Sequence, residues 1–284
     1  MQIKKITDLC TEVRIEDNNE KSRFNFMLIS DVHYDNPKCD RRLIHSHLDY
    51  ALEHNIPVFV FGDFLCLMQG KYDPRRSKKD IRPEHNKPDY LDAVFQDTAD
   101  KLSKYAPIIK VFADGNHETS ILRNCEVDPL NNVSRILNDK YGAEVIRMGY
   151  HGFIRFVFHR NNASVRSTSL YFHHGKFGGA VTKGVLGVGR HGLVVPDADI
   201  VVTGHTHDRW YMEQPRFKLK QNGEVVTRPQ HHVKCGTYKE EYLEPGGFAI
   251  EKIAQPKSMG GWLMNVQVVN SFERALNISF SNII

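Results

Sequence analysis

The chain has 284 residues, 40% of them hydrophobic and 25% charged, and its 38 lysines and arginines against 34 aspartates and glutamates leave a formal net charge of +4. That is the composition of a soluble globule, and its mild basicity permits a polyanionic partner without demanding one. No apolar run approaches the roughly 20 residues that a membrane-spanning helix needs, no secretory h-region opens the chain, and five cysteines at 10, 39, 66, 125 and 235 form no CxxC pair, so a reducing cytoplasm is expected rather than a membrane, a disulfide framework or a zinc knuckle.

In chain order, the run Met27-Leu28-Ile29-Ser30-Asp31 reads as a buried strand, and Leu43, Ile44, Leu48, Ala51 and Leu52 give residues 40 to 54 a helical period that ends before Pro57. Val58-Phe59-Val60-Phe61-Gly62-Asp63 is a second strand. Between about 70 and 90 no apolar period is visible. Lys71, Arg75, Arg76, Lys78, Lys79, Arg82 and Lys87 stand there against Asp73, Asp80, Glu84 and Asp89, among three prolines. This insertion reads either as a basic arm reaching phosphates or as a solvated surface loop. A helix-like stretch runs from Pro88 to Tyr105, a third strand from Pro107 to Phe112 feeds the turn Gly115-Asn116-His117-Glu118, and a helix follows over Leu130 to Tyr141. The alternation implies a largely parallel sheet whose carboxyl edge gathers the polar residues.

From about residue 144 strand follows strand: Glu144 to Met148, Phe153 to His159, Ser167 to His173 and Ile200 to Val202. Asn222-Gly223 is a two-residue hairpin signal between Phe217-Lys218-Leu219 and Val225-Val226. Trp262 to Val269 and Leu276 to Phe280 read as closing strands, so the chain is expected to be one domain over 1–284 with a β-rich portion from about 208.

Seven metal-capable side chains punctuate this pattern: Asp31, His33, Asp63, Asn116, His174, His205 and His207. In an extended segment residues two apart share a side, so Asp31 with His33, and His205 with His207, can face one cavity while Val32 and Thr206 turn away. Glycine precedes Asp63, Asn116 and His205, which suits a crowded site where backbones approach closely. His45, His47, His54, His85, His151, His159 and His191 have no partner in any metal-like spacing, and Cys66 reads as buried filler more readily than as a soft ligand.

Asp31-Val32-His33, Gly62-Asp63, Gly115-Asn116-His117-Glu118, His174-Gly175 and Gly204-His205-Thr206-His207 resemble, in order and spacing, the signature of the calcineurin-like metallophosphoesterase superfamily, over roughly residues 25 to 210. The resemblance implies an α/β (α+β) fold of two mixed β-sheets packed as a sandwich flanked by helices, with a dinuclear metal site at the strand ends. It implies that Asp31, His33, Asp63 and His207 hold one metal and that Asp63, Asn116, His174 and His205 hold the other, Asp63 bridging. His174 rather than His173 is taken as the ligand because it directly precedes Gly175. His117 matches the catalytic histidine beside the leaving oxygen, and Glu118 departs from the aspartate common at its position. Manganese is the expected metal, with iron, zinc, nickel or cobalt also compatible with imidazole, carboxylate and amide donors.

The implied chemistry is phosphate-ester hydrolysis by a hydroxide bridging two cations about 3.5–4 Å apart. Neutral His and Asn donors beside only two carboxylates keep such a centre cationic toward its substrate. Because every imidazole donor must lose its proton, activity is expected to fall below about pH 6.5. A phosphodiesterase or nuclease-type activity on nucleic acid or nucleotides is the leading expectation, with Arg75, Arg76, Lys78, Lys79 and Arg209 as substrate-binding candidates. The alternatives are a phosphomonoesterase acting on phosphoprotein or small metabolites, and a non-catalytic interaction scaffold.

Overall fold

The computed structural model describes residues 1–16, 22–68, 81–160, 164–176, 182–219, 221–243, 245, 248–251, 253, 255–269 and 276–283. The elements are, in chain order, β1 (Gln2–Thr7), β2 (Cys10–Glu16), β3 (Arg23–Ile29), α1 (Arg41–Glu53), β4 (Val58–Phe61), α2 (Tyr90–Leu102), β5 (Ile109–Ala113), α3 (Asn116–Cys125), α4 (Pro129–Tyr141), β6 (Ile146–Met148), β7 (His151–Arg160), β8 (Ser164–His173), α5 (Gly187–Val194), β9 (Ile200–Thr203), β10 (Trp210–Leu219), β11 (Val225–Lys234), β12 (Trp262–Val268) and β13 (Leu276–Asn282). They form two mixed sheets with helices outside, the expected sandwich. One sheet has the order β13-β12-β3-β4-β5-β6 and the other β1-β2-β7-β8-β9-β11-β10.

Strand alternation separates two cores. Phe26, Leu28, Phe59 and Phe61 point inward against Phe156, Leu170, Phe172 and Val202 of the opposite sheet. Their neighbours Met27, Ile29, Val58 and Val60 point outward against Ile44 and Leu48 of α1, Val94 and Phe95 of α2, and Val133 and Leu137 of α4. β4 and the carboxyl half of β3 are therefore buried on both faces, which is why they read as unbroken apolar runs. The outer face of the seven-stranded sheet is covered more thinly, by a small cluster of Tyr171, Val195, Ala198 and Val201.

β3, β4, β5 and β6 are parallel, so their carboxyl ends lie along one edge. β8 runs parallel to β9, delivering its end with that of β9. Helix starts follow from capping chemistry: the Asp40 carboxylate accepts from the Leu43 N–H at 2.9 Å and Asp128 accepts from Asn131 at 2.9 Å.

Three local features differ from the sequence reading. The charged N-terminus forms the hairpin β1–β2, whose second strand adds parallel to β7 and buries Val13 and Ile15. The segment after Gly115 is a helix, α3, whose polar sequence hides its period. The Asn222-Gly223 hairpin has its last paired residues at Leu219 and Val225, so the connection is longer than two residues, although Gly223 does take a positive φ of 85°. Of the basic insertion, Arg75, Arg76, Lys78 and Lys79 lie outside the described residues. The part from Ile81 is docked: Arg82 Nη2 donates to the Asn36 carbonyl at 2.8 Å, and buried His85 sits 3.0 Å from Asp97. Among the described residues no helix is long and apolar enough to cross a membrane.

Candidate metal centre

Every residue of the seven lies just beyond a strand end. Asp31 follows β3, Asp63 follows β4, Asn116 opens α3 after β5, His174 directly follows β8, and His205 follows β9. Backbone bonds continue the sheet into these loops: the Asp31 N–H donates to the Gly62 carbonyl and the His33 N–H to the Asp63 carbonyl, each at 3.0 Å. The two sheets are tied across the gap as well, because the His205 N–H donates to Asp31 Oδ2 at 2.9 Å, while the bond from the Gly204 N–H to the His174 carbonyl at 2.8 Å extends the β8–β9 pairing within one sheet. The site therefore sits where the edges of both sheets meet.

The backbone reaches this arrangement in an unexpected way. Asp31, His33, Asp63, His205 and His207 have φ of 53°, 50°, 49°, 72° and 60°, so they are left-handed rather than extended. Val32 is still buried on the helix side, but a tight loop, not strand alternation, puts Asp31 and His33 on a common side. Glycine is required at two neighbours for space alone. A Cβ on Gly115 would collide with Asp63 Oδ1, and one on Gly204 would collide with Ser30 Oγ and come within 2.5 Å of Asp31 Oδ2.

Two donor sets converge. Asp31, His33 and His207 form one, and Asp63, His174 and His205 the other, with the ligand atoms of each set within 4.8 Å of one another. Asn116 joins the second set, its Oδ1 lying 3.2 Å from His174 Nε2 and 2.7 Å from His205 Nδ1. His174 Nε2 is also 3.1 Å from Asp63 Oδ2, His33 Nε2 is 3.1 Å from His207 Nε2, and His207 Nε2 is 3.4 Å from Asp31 Oδ1. Separations of about 3 Å are the edges of a coordination shell whose bonds are about 2.1 Å long. The orientation of His174 agrees: its Nδ1 donates to the Phe61 carbonyl at 3.0 Å, which leaves Nε2 unprotonated toward the site when the ring is neutral. The donors fit two transition-metal ions.

Charge tells the same story. Burial works to raise the Asp31 and Asp63 carboxyls, but the positive charge of His174 and the neighbouring rings outweigh it, and both stay below the usual carboxylate range. His174 shows the reciprocal effect: burial disfavours its charged ring, yet Asp63 and then Asp31 raise it to about 10. Burial, with His117 next in size, pushes His33 well below its ordinary value, and burial also lowers His205. The metal-free site thus keeps a proton on His174 at neutral pH, and a cation must displace it. Apparent Mn²⁺ affinity at the set holding His174 is accordingly expected to rise about tenfold per pH unit between pH 6.5 and 8.5, as the ion seated there releases one proton. A calorimetric titration giving a pH-independent affinity over that range would remove His174 from the donor set.

His117 stands beside the donors and differs from them. Its N–H donates to Asp63 Oδ1 at 3.0 Å, and its ring Nδ1 donates to the Cys66 carbonyl at 2.5 Å, which leaves Nε2 3.8 Å from Asp63 Oδ2. Cys66 Sγ lies within 4.8 Å of ligand atoms of His33 and His117. Burial, then the charge of Asp35, pushes its thiol up to about 12, so it stays protonated and accepts from Asn36 Nδ2 at 3.3 Å. The Arg209 guanidinium lies 5.4 Å from the Trp262 ring and 3.5 Å from the Gly261 carbonyl.

Two carboxylates escaped sequence reasoning as loop anchors. Glu118, fully buried, accepts from the N–H groups of Asp63, Leu65 and Gly115 at 3.1, 2.9 and 2.8 Å, so it holds the ligand loop by its backbone and leaves the His117 ring to Cys66. Asp35 accepts from the N–H of Cys66 at 2.5 Å and of Leu67 at 2.9 Å, fixing the carbonyl that orients His117. The signal for Glu118 was the helix-start spacing from Gly115; nothing in the spacing marks Asp35.

No family model matches the sequence, and no curated protein matches it. Among solved structures the chain is similar to a predicted phosphoesterase from Streptococcus pneumoniae, at 13% identity over 92% of this chain and 90% of that one, with a TM-score of 0.33. It is similar to Vps29 of Chaetomium thermophilum, at 11% identity over 91% and 92% with a TM-score of 0.35, and to a metallophosphoesterase from Sphaerobacter thermophilus, at 10% identity over 92% and 89% with a TM-score of 0.36.

Proposed function

We propose that this chain is a metallophosphoesterase of the calcineurin-like superfamily, a hydrolase of phosphate esters with a preference for diesters of the nucleotide or nucleic-acid type. The observation that carries the reading is the convergence of two donor sets, Asp31 with His33 and His207, and Asp63 with His174 and His205, at one edge of the sandwich. Asp31, His33, Asp63 and His207 would hold one cation and Asp63, Asn116, His174 and His205 the other. Bound there, the pair supplies Lewis acidity toward the phosphoryl oxygens and a water acidic enough to ionise near neutral pH.

The rest of the work falls to the chain itself. His117, with Nδ1 committed to the Cys66 carbonyl, presents Nε2 to the region in front of Asp63, where a protonated ring can hydrogen-bond the departing oxygen. Glu118 and Asp35 keep the loops carrying Asp63 and His117 in register. Manganese is the proposed metal, and a reducing cytoplasm the proposed compartment, in keeping with the unpaired state of all five cysteines.

The test is hydrolysis of bis(p-nitrophenyl) phosphate against p-nitrophenyl phosphate after loading with Mn²⁺, followed by single-stranded and duplex DNA. Metal-dependent diester cleavage supports the proposal. Cleavage of the monoester alone would replace the diesterase preference with a phosphatase. Failure of the purified protein to bind any transition metal would defeat the enzyme reading.

A further inference from the structure

A second cavity, of about 480 Å³, lies under α5 on the thinly covered outer face of the seven-stranded sheet. Its lining includes Lys176, Arg190 and Lys234, and the walls include the aromatic rings of Tyr171 and Trp210; no aspartate or glutamate is among its described lining residues. Strand alternation explains the placement: Val233 points into the core between the sheets, so Lys234 points the other way.

Lys234 is the unusual member. Its residue surface is only 3% exposed, and its Nζ donates to the Gly204 carbonyl at 2.7 Å. An ammonium has three N–H donors, and among the described residues this is its single hydrogen bond, with no carboxylate within ion-pair distance. Of the acids whose charge reaches it, Asp31 belongs to the metal centre and accepts from the His205 N–H, and Asp208 is engaged, at 3.1 Å, by Lys257. A buried lysine without a counter-ion is costly, and such groups are normally paired. The histidines bordering the cavity do not add to the charge, since burial lowers His191 and brings His232 down to about 4, with Lys234 and His191 respectively the next causes. Burial also lowers Lys234, to about 8, so the cavity is lined at neutral pH by the cations Lys176, Arg190 and Lys234 and by neutral rings.

We infer that this cavity is a binding site for an organic phosphate of about mononucleotide size, its phosphate seated on Lys234, Arg190 and Lys176 and its organic part against Trp210 and Tyr171. The volume is that of a small-molecule pocket and exceeds what a lone phosphate fills. The site is separate from the metal centre, which faces the edge between the sheets. The two adjoin, because the carbonyl that receives Lys234 belongs to Gly204, the residue before His205, and the lining residue Gly175 follows His174 and lies against His205.

Calorimetric titration of the metal-free protein with AMP, inorganic phosphate and adenosine tests this without reference to hydrolysis, so the result stands whether or not the chain is a phosphoesterase. One equivalent of AMP is expected to bind, with adenosine and inorganic phosphate at least tenfold weaker. Arg190→Glu, on the exposed side of α5, and Lys234→Met should each weaken AMP by about tenfold or more, as loss of a charge-assisted contact does. Arg190→Glu carries the test if Lys234→Met fails to fold. AMP affinity unchanged in Arg190→Glu, inorganic phosphate binding as tightly as AMP, or no AMP binding at millimolar concentration would overturn the assignment.

Discussion

Replacing His117 by Ala is expected to lower turnover about 10²–10⁴-fold, or roughly 3–5 kcal/mol of barrier, while the bound metal stays at the wild-type level. The reasoning is geometric. The ring's Nδ1 is spent on the Cys66 carbonyl, and its Nε2 looks toward Asp63 without belonging to either of the two donor sets built on Asp31 and Asp63. If its task is to assist departure of the ester oxygen, the defect shrinks with a p-nitrophenolate leaving group and grows with an alkoxide. Elemental analysis of the variant, read beside kcat for the two substrates, separates the possibilities. A fall in metal content matching the fall in rate would make His117 a ligand instead.

The second large effect concerns the fold around the site. Glu118→Ala strips an acceptor from three buried N–H groups, those of Asp63, Leu65 and Gly115. Each unsatisfied donor costs about 1–3 kcal/mol, so a loss of roughly 3–6 kcal/mol is expected after the surroundings relax, lowering Tm by roughly 5–10 °C. Glu118→Gln should fall between wild type and Ala, since its carbonyl keeps one acceptor while its NH₂ confronts a backbone donor. Burial, followed by the charge of Asp63, raises the Glu118 carboxyl to about 8. Cations at the centre offset the Asp63 charge, so metal should stabilise wild type more than the Glu118→Gln variant in a thermal melt with and without Mn²⁺. Equal melting of all three proteins would show the loop to be held by something else.

Much of this molecule could be read before any coordinates. The runs ending at Asp31 and Asp63 are apolar on both sides because β3 and β4 are sandwiched between the opposite sheet and the helices, and that makes their ends easy to find. The gathering of Asp31, His33, Asp63, Asn116, His174, His205 and His207 at one edge followed from the order of those ends. What stayed hidden has physical reasons. β1 and β2 are an edge hairpin with one wet face, so only Val13 and Ile15 betray a strand. α3 is polar because its exposed side faces solvent and its start is fixed by Glu118. Lys234 looks like any strand lysine until the sheet turns it under α5. The left-handed loops are hard to foresee because Asp and His, although they take a positive φ more often than most residues, still spend most of their time at negative φ.

Those loops bear on how such a centre fares over time. Five of the seven donors hold a conformation that L-residues other than glycine avoid, at about 1–2 kcal/mol each. For the three histidines, chemistry rather than folding retains the side chains there; Asp31 and Asp63 also accept buried N–H groups. His207→Gly is thus expected to leave the melting temperature of the metal-free protein unchanged or raised while Mn²⁺ affinity drops, an outcome that differential scanning calorimetry with a metal titration can read. A marked loss of metal-free stability would show that the His207 ring itself props the loop. In a lineage released from selection for hydrolysis, glycine could then spread through His33, His205 and His207 at little cost to the fold, whereas Asp31 and Asp63, which accept buried N–H groups, would persist in the scaffold left behind.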